Sequence, residues 1–303
     1  MNIVNFLRKY MPRHERKKDV ALVLSGGGAR GLAHIGAIEA IQERGYQITT
    51  VAGTSMGALV GGLFAAGKLH ELHEKVSNLT RKQTMQLLDF SPGRDHIANG
   101  NHLTEVLKQW VDDAKIEDLP ITFSCSATDI ISGKEEIFRH GLLTKAIRAS
   151  ISIPCFFKPV SDNQHLYVDG SVQNVLPLSH INKNDNTLVI AVNVCGENQN
   201  PYQNDNNKNK AQLNETERNY WQKLPFFKPD SATNYFNLAT RVARLNIQKN
   251  AQMAVQLNPP DIYVEFPMDL YGLFDYEKAC EIILQGKEKM QVALDKYEEN
   301  EKI

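Results

Sequence analysis

Ile48-Thr49-Thr50-Val51-Ala52-Gly53-Thr54-Ser55-Met56-Gly57 is the stretch on which the fold turns. Ile48 to Ala52 is short, apolar and β-branched, the pattern of a buried strand. Ala58 to Ala66 is rich in Ala, Gly, Leu and Val, and Gly67 offers a helix stop. Between them Gly53 to Gly57 has the form G-x-S-x-G, in which a serine is pushed to the tip of a strand-to-helix bend. A glycine two places either side keeps Cβ atoms out of a sharply curved backbone. Ser55 is therefore a candidate nucleophile at the end of a strand.

Just upstream lies Gly26-Gly27-Gly28-Ala29-Arg30-Gly31, between the apolar run Val20 to Leu24 and a helical pattern from Leu32 to Ile41. These residues also fit G-x-G-x-x-G, the dinucleotide fingerprint. That fingerprint expects an acidic residue about 20 positions on, to hold a ribose. Gln47 to Ala52 holds neither Asp nor Glu, and the next strand ends in the serine turn instead. Backbone N–H groups of a glycine loop at a helix N-terminus favour negative charge. The loop suits an oxyanion hole for an ester attacked by Ser55.

A third element, Asp169-Gly170-Ser171, follows the short strand pattern Leu166-Tyr167-Val168. An acid at a strand end stands at the carboxyl edge of a sheet, where open α/β sheets bind ligands. By itself an Asp-Gly pair is more often an ordinary turn.

Together, Gly26–Gly31, Gly53–Gly57 and Asp169–Ser171 resemble the patatin-like phospholipase family, bacterial single-domain type, and so does Ala149-Ser150-Ile151-Ser152-Ile153-Pro154 before the aspartate. The resemblance runs from about Asp19 to Val194. It implies a three-layer α/β/α fold with a mainly parallel central sheet. It also implies a Ser55–Asp169 dyad, with Gly26, Gly27, Gly28 and Arg30 in the oxyanion loop and Gly31, Gly53, Gly57 and Gly170 supporting the motifs. The family usually has Gly or Ala where this chain has Ser171, so hydrogen bonding around Asp169 is open to change. A carboxylate of ordinary pKa is a poor base at neutral pH, so the dyad requires Asp169 to be partly desolvated.

The rival within hydrolases is a triad with histidine. Only His180 follows Asp169, and Leu178 to Asn182 reads as a surface helix end. His34 reads as a helix or packing residue. The other histidines show no metal-ligand spacing, so neither a metal nor another cofactor is expected. Outside hydrolysis two readings stay open: acyl transfer from the same serine, as in the malonyl-CoA transacylases, and a noncatalytic regulatory protein keeping the fold.

Composition fits a soluble enzyme: 303 residues, 42% hydrophobic, net charge −1. That charge implies no bulk attraction to nucleic acid or to acidic membranes. Cys125, Cys155, Cys195 and Cys280 are scattered and read as reduced core or neutral residues of a cytoplasmic protein, Cys155 as packed beside Phe156 and Phe157. No apolar stretch approaches the length of a membrane span. Residues 1–18 form a basic tail with a charge of +5, six Lys and Arg against Glu15. Ile3, Phe6, Leu7, Tyr10 and Met11 fall at helix-like spacing, which suits either a peripheral anchor on the inner membrane surface or a frayed tail.

The expected partner is a phospholipid or another acyl-ester lipid; oligomeric state is not written in the sequence. Residues 19–303 read as one hydrolase domain. Within it 196–230 is an asparagine-rich loop or lid ending in an aromatic, basic stretch, and 231–303 supplies C-terminal helices and a strand.

Overall fold

The computed structural model describes residues 19–89, 98–183, 186–199 and 235–301. The basic tail and most of the asparagine-rich segment lie outside the described residues. Five strands form the parallel body of the sheet: β1 (Asp19–Leu24), β2 (Gln47–Thr54), β3 (Thr122–Asp129), β7 (Thr187–Gly196) and β8 (Ile262–Pro267). Their order is β3-β2-β1-β7-β8, every neighbouring pair parallel. Three shorter strands run antiparallel: β4 (Lys134–Phe138) and β6 (His165–Asp169) both pair with β3, and β5 (Val160–Asp162) pairs with β6.

Helices α1 (Ala33–Glu43), α2 (Met56–Ala65), α3 (Leu69–Ser77), α4 (Arg81–Leu88), α5 (Asn101–Val111), α6 (Leu143–Ser150), α7 (Tyr235–Leu257) and α8 (Ala279–Asn300) surround it. Strand residues alternate between two cores. Val20, Leu22 and Leu24 of β1 and Leu188, Ile190 and Val192 of β7 face α1, α2 and α8. Ala21, Val23, Val189 and Ala191 face Ala251 and its neighbours on α7. Because both faces are covered, these strands read as continuous apolar runs. The three layers expected from the sequence are present.

Close packing of α1 on α8 depends on two glycines. A Cβ on Gly36 would lie 1.9 Å from the Ile283 carbonyl oxygen, and one on Gly286 would lie 2.0 Å from that of Ala33. No side chain fits at either point, so the helix backbones approach directly.

The antiparallel strands make the topology productive. β4 occupies one edge of β3 along Cys125–Asp129. β2 and β6 must therefore share the opposite edge, in succession: Thr54 pairs with Ser126, and Asp169 pairs with the next residue, Ala127. Because β2 runs with β3 and β6 against it, their carboxyl ends meet nose to nose. Those ends carry Ser55 and Asp169.

Candidate active site

Ser55 sits between β2 and α2 with φ 53° and ψ −119°, a backbone region that costs a non-glycine residue of the order of 1–3 kcal/mol. The bend is held by close backbone contacts. A Cβ on Gly57 would lie 2.2 Å from the Leu24 carbonyl oxygen, and one on Gly53 2.3 Å from that of Gly57. The Ser55 amide donates to Ser150 Oγ at 2.8 Å, and that hydroxyl donates to the Ser126 carbonyl at 2.6 Å. Ser150, at the end of α6, thus ties the serine turn to β3.

Ser55 Oγ donates to Asp169 Oδ2 at 2.5 Å. Asp169 Oδ1 accepts from the Ser171 amide at 2.8 Å. Both residues are buried. Burial raises the Asp169 carboxyl from 3.8 to about 6, against the opposing hydrogen bonds from Ser55 and Ser171. A serine at 171 leaves the backbone support of the aspartate intact, and its Oγ fills space beside Gly26, whose added Cβ would come within 2.2 Å of it.

The glycine loop divides its labour. The Gly26 amide donates to the Val175 carbonyl at 3.0 Å and the Ala29 amide to that of Leu273 at 2.9 Å. Gly27 and Gly28 take φ values of +154° and +58°, and their amides have no acceptor among the described residues. Arg30 is buried. Its guanidinium donates to the carbonyls of Val194, Met268 and Tyr271, at 3.2, 2.9 and 3.0 Å. Through these bonds Gly26 and Arg30 brace the loop, and the Gly26 amide is already engaged. Gly31 and Gly170 are needed for space, since added Cβ atoms would press on Met56 Cγ at 2.4 Å and on the Ser126 carbonyl at 2.3 Å.

Among the described residues no histidine hydrogen-bonds Ser55 or Asp169. His34 Nε2 donates to the Ser25 carbonyl at 2.9 Å, and burial lowers its pKa to about 4, so the ring is neutral. His180 is not on a surface helix end as its sequence suggested. It lies buried in a short 3-10 turn, with Nε2 2.8 Å from Glu135 Oε1 and Nδ1 3.4 Å from Ser124 Oγ. Cys155 also departs from expectation: it is exposed, at φ 64°, while Phe156 and Phe157 beside it are buried.

With an acid-bonded serine, a strained turn and a glycine loop on one sheet edge, comparison with known proteins becomes informative. Residues 22–181 match the family described as Patatin-like phospholipase. The chain belongs to the patatin-like phospholipase family. An uncharacterized NTE family protein of Mycobacterium tuberculosis is 42% identical over 177 residues, 58% of this chain and 49% of that protein. The Lysophospholipase NTE1 of Candida glabrata is 27% identical across all of this chain and 19% of its own length. The chain thus spans about half the length, or less, of these relatives. Among solved structures, VipD from Legionella pneumophila covers 94% of this chain and 67% of its own, at 14% identity and a TM-score of 0.47.

Ser150 carries a role that the sequence did not disclose. Its segment stood out by resemblance, but the bridge from the Ser55 amide to Ser126 joins residues far apart in the chain. Val175, which receives the Gly26 amide, gave no signal at all.

Proposed function

We propose that this patatin-like protein is a serine lipid acyl hydrolase that cleaves acyl esters of phospholipids or lysophospholipids. The observation that carries the reading is the hydrogen bond from Ser55 Oγ to the buried carboxylate of Asp169. Asp169 Oδ2 takes the hydroxyl proton as Ser55 Oγ attacks the acyl carbonyl. The oxygen of the tetrahedral intermediate is stabilised by the amides of Gly27 and Gly28, aided by the N-terminus of α2 directly after Ser55. Asp169 then gives its proton to the departing alkoxide, leaving an acyl-enzyme. In the second half a water, deprotonated by Asp169, releases the fatty acid and restores the serine. No histidine takes part. The Candida glabrata relative is named a lysophospholipase, which supports this substrate class.

Mass spectrometry of a phospholipid and lysophospholipid panel tests the proposal. The wild-type protein is expected to release fatty acid, and Ser55→Ala to release at least a thousandfold less while staying folded. Full activity in Ser55→Ala sinks the mechanism. Acyl groups recovered on an added acceptor alcohol in place of free acid point to transfer.

A further inference from the structure

The carboxyl edge of the sheet carries, besides the Ser55 site, two sets of exposed apolar side chains on separate elements. The first is the turn joining β3 to β4. Ile130 and Ile131 are 49% and 67% exposed, and Val172, just beyond Asp169, is 52% exposed. This turn is fixed in place. The buried Asp129 carboxylate accepts from the Ile131 amide at 3.1 Å, Ser132 Oγ at 2.7 Å and the Leu166 amide at 3.1 Å, and pairs with His165 Nδ1 at 2.9 Å. Gln173 Nε2 donates to the Gly133 carbonyl at 2.6 Å and joins the Val172 segment to the turn. Two isoleucines held outward on so well-tied a turn gain nothing from folding, since exposed apolar surface contributes only when something covers it.

The second set is on α7. Gln248 Nε2 donates to the carbonyl of Gly196, where β7 ends, at 2.9 Å, so position 248 is level with the carboxyl edge. After α7 the chain enters β8 at its amino end, where the Asp261 amide donates to the Val189 carbonyl. The helix therefore runs against the strands, and its first half overhangs the edge. Ten residues from Gln248 back to Leu238 span about 15 Å along the axis. Leu238, Val242 and Leu245 lie there at 59%, 49% and 60% exposure, spaced four and three apart along one stripe. Residues 235–257 include Arg241, Arg244 and Lys249 and no Asp or Glu, in a chain of net charge −1. Arg241 and Lys249 are exposed.

We infer that this edge is an interfacial docking face for an anionic phospholipid bilayer. The α7 overhang and the Ile130–Ile131 turn enter the headgroup region, and the carboxyl edge that carries Ser55 faces the lipid. An apolar stripe beside cationic side chains is the composition that binds such a surface. The choice of lipid over a second protein rests on the proposed lipid hydrolase function and on the charge of α7. Exposed apolar residues on other faces, such as Leu284 and Val292 of α8, stand among acids as well as lysines (Glu288 and Asp295 beside Lys287 and Lys289) and serve as controls.

Co-sedimentation of the full chain with phosphatidylglycerol-containing vesicles tests the face, alongside hydrolysis of a water-soluble short-chain ester. Val242→Glu with Leu245→Glu, and separately Ile130→Ser with Ile131→Ser, are expected to lower vesicle partitioning at least tenfold. Their melting temperature and soluble-ester rate should stay at wild-type values, and Leu284→Glu should sediment like the wild type. Ser55→Ala, which abolishes catalysis, should still bind, so a failed hydrolase reading and a failed docking face give different results. Unchanged sedimentation of both double variants overturns the inference. So does equal binding to neutral phosphatidylcholine vesicles, or loss of a dimer in the variants with vesicle binding intact.

Discussion

Asp169 shows what the proposed dyad asks of one carboxylate. Its pKa of about 6 keeps it ionised at neutral pH and far more basic than a solvated aspartate. Hydrolysis of a soluble ester should therefore lose about tenfold in kcat/KM per pH unit below about pH 6, as the base takes up a proton. A pH–rate profile reads this directly, and a limb centred near pH 4 contradicts a buried base. The same burial costs stability. Because the folded pKa lies above the unfolded 3.8, the fold favours the protonated form, and stability falls as pH rises between about 4 and 6. Asp169→Asn should be inactive yet more stable than wild type at pH 8, by up to about 3 kcal/mol, with the difference vanishing below about pH 4. Denaturant titrations at the two pH values measure it. At this scale the sequence showed which serine and which acid to pair, because both sit in compact motifs. It did not show what Gly26, Arg30 or His180 do. Their partners Val175, Val194 and Glu135 come from distant strands and loops, and no local pattern reports such a hydrogen bond.

Elements whose function demands burial were legible. β1 and the apolar part of β2 were readable as buried strands, and α1 and α2 followed them at readable spacing. β4 was not foreseen. Lys134-Glu135-Glu136-Ile137-Phe138 is mostly charged, as suits a strand on an open margin of a sheet, and such a run carries no apolar alternation. β5, three residues long, offers still less signal. The bond between elements most open to test is Ser150, which joins the end of α6 to the serine turn and to β3. Ser150→Ala removes both bonds and leaves the Ser55 amide and Ser126 carbonyl buried without it. A loss of about 1–3 kcal/mol is expected in denaturant midpoint measurements, together with a lower kcat from a loosened Ser55. Unchanged kcat and stability would show that the bridge is dispensable.

For the molecule as a whole, the α/β/α layering was what the family resemblance implied, but the meeting of β2 with β6 was not legible. Nothing in either strand's composition says that the two will share an edge of β3 while running in opposite directions. That arrangement brings Ser55 and Asp169, 114 residues apart in the chain, next to one another in space. It also dictates an order of events. β2 and its flanking helices are built from neighbouring segments, whereas Asp169 reaches Ser55 only after β3 is docked and β6 has paired along the rest of its edge. Contacts that close long loops form late in folding. In refolding from denaturant, far-ultraviolet circular dichroism should recover in a faster phase than esterase activity. Coincident recovery in a single phase would refute that order. Under the proposed mechanism a nascent chain of this protein stays chemically silent until residue 169 has been made and β6 has paired.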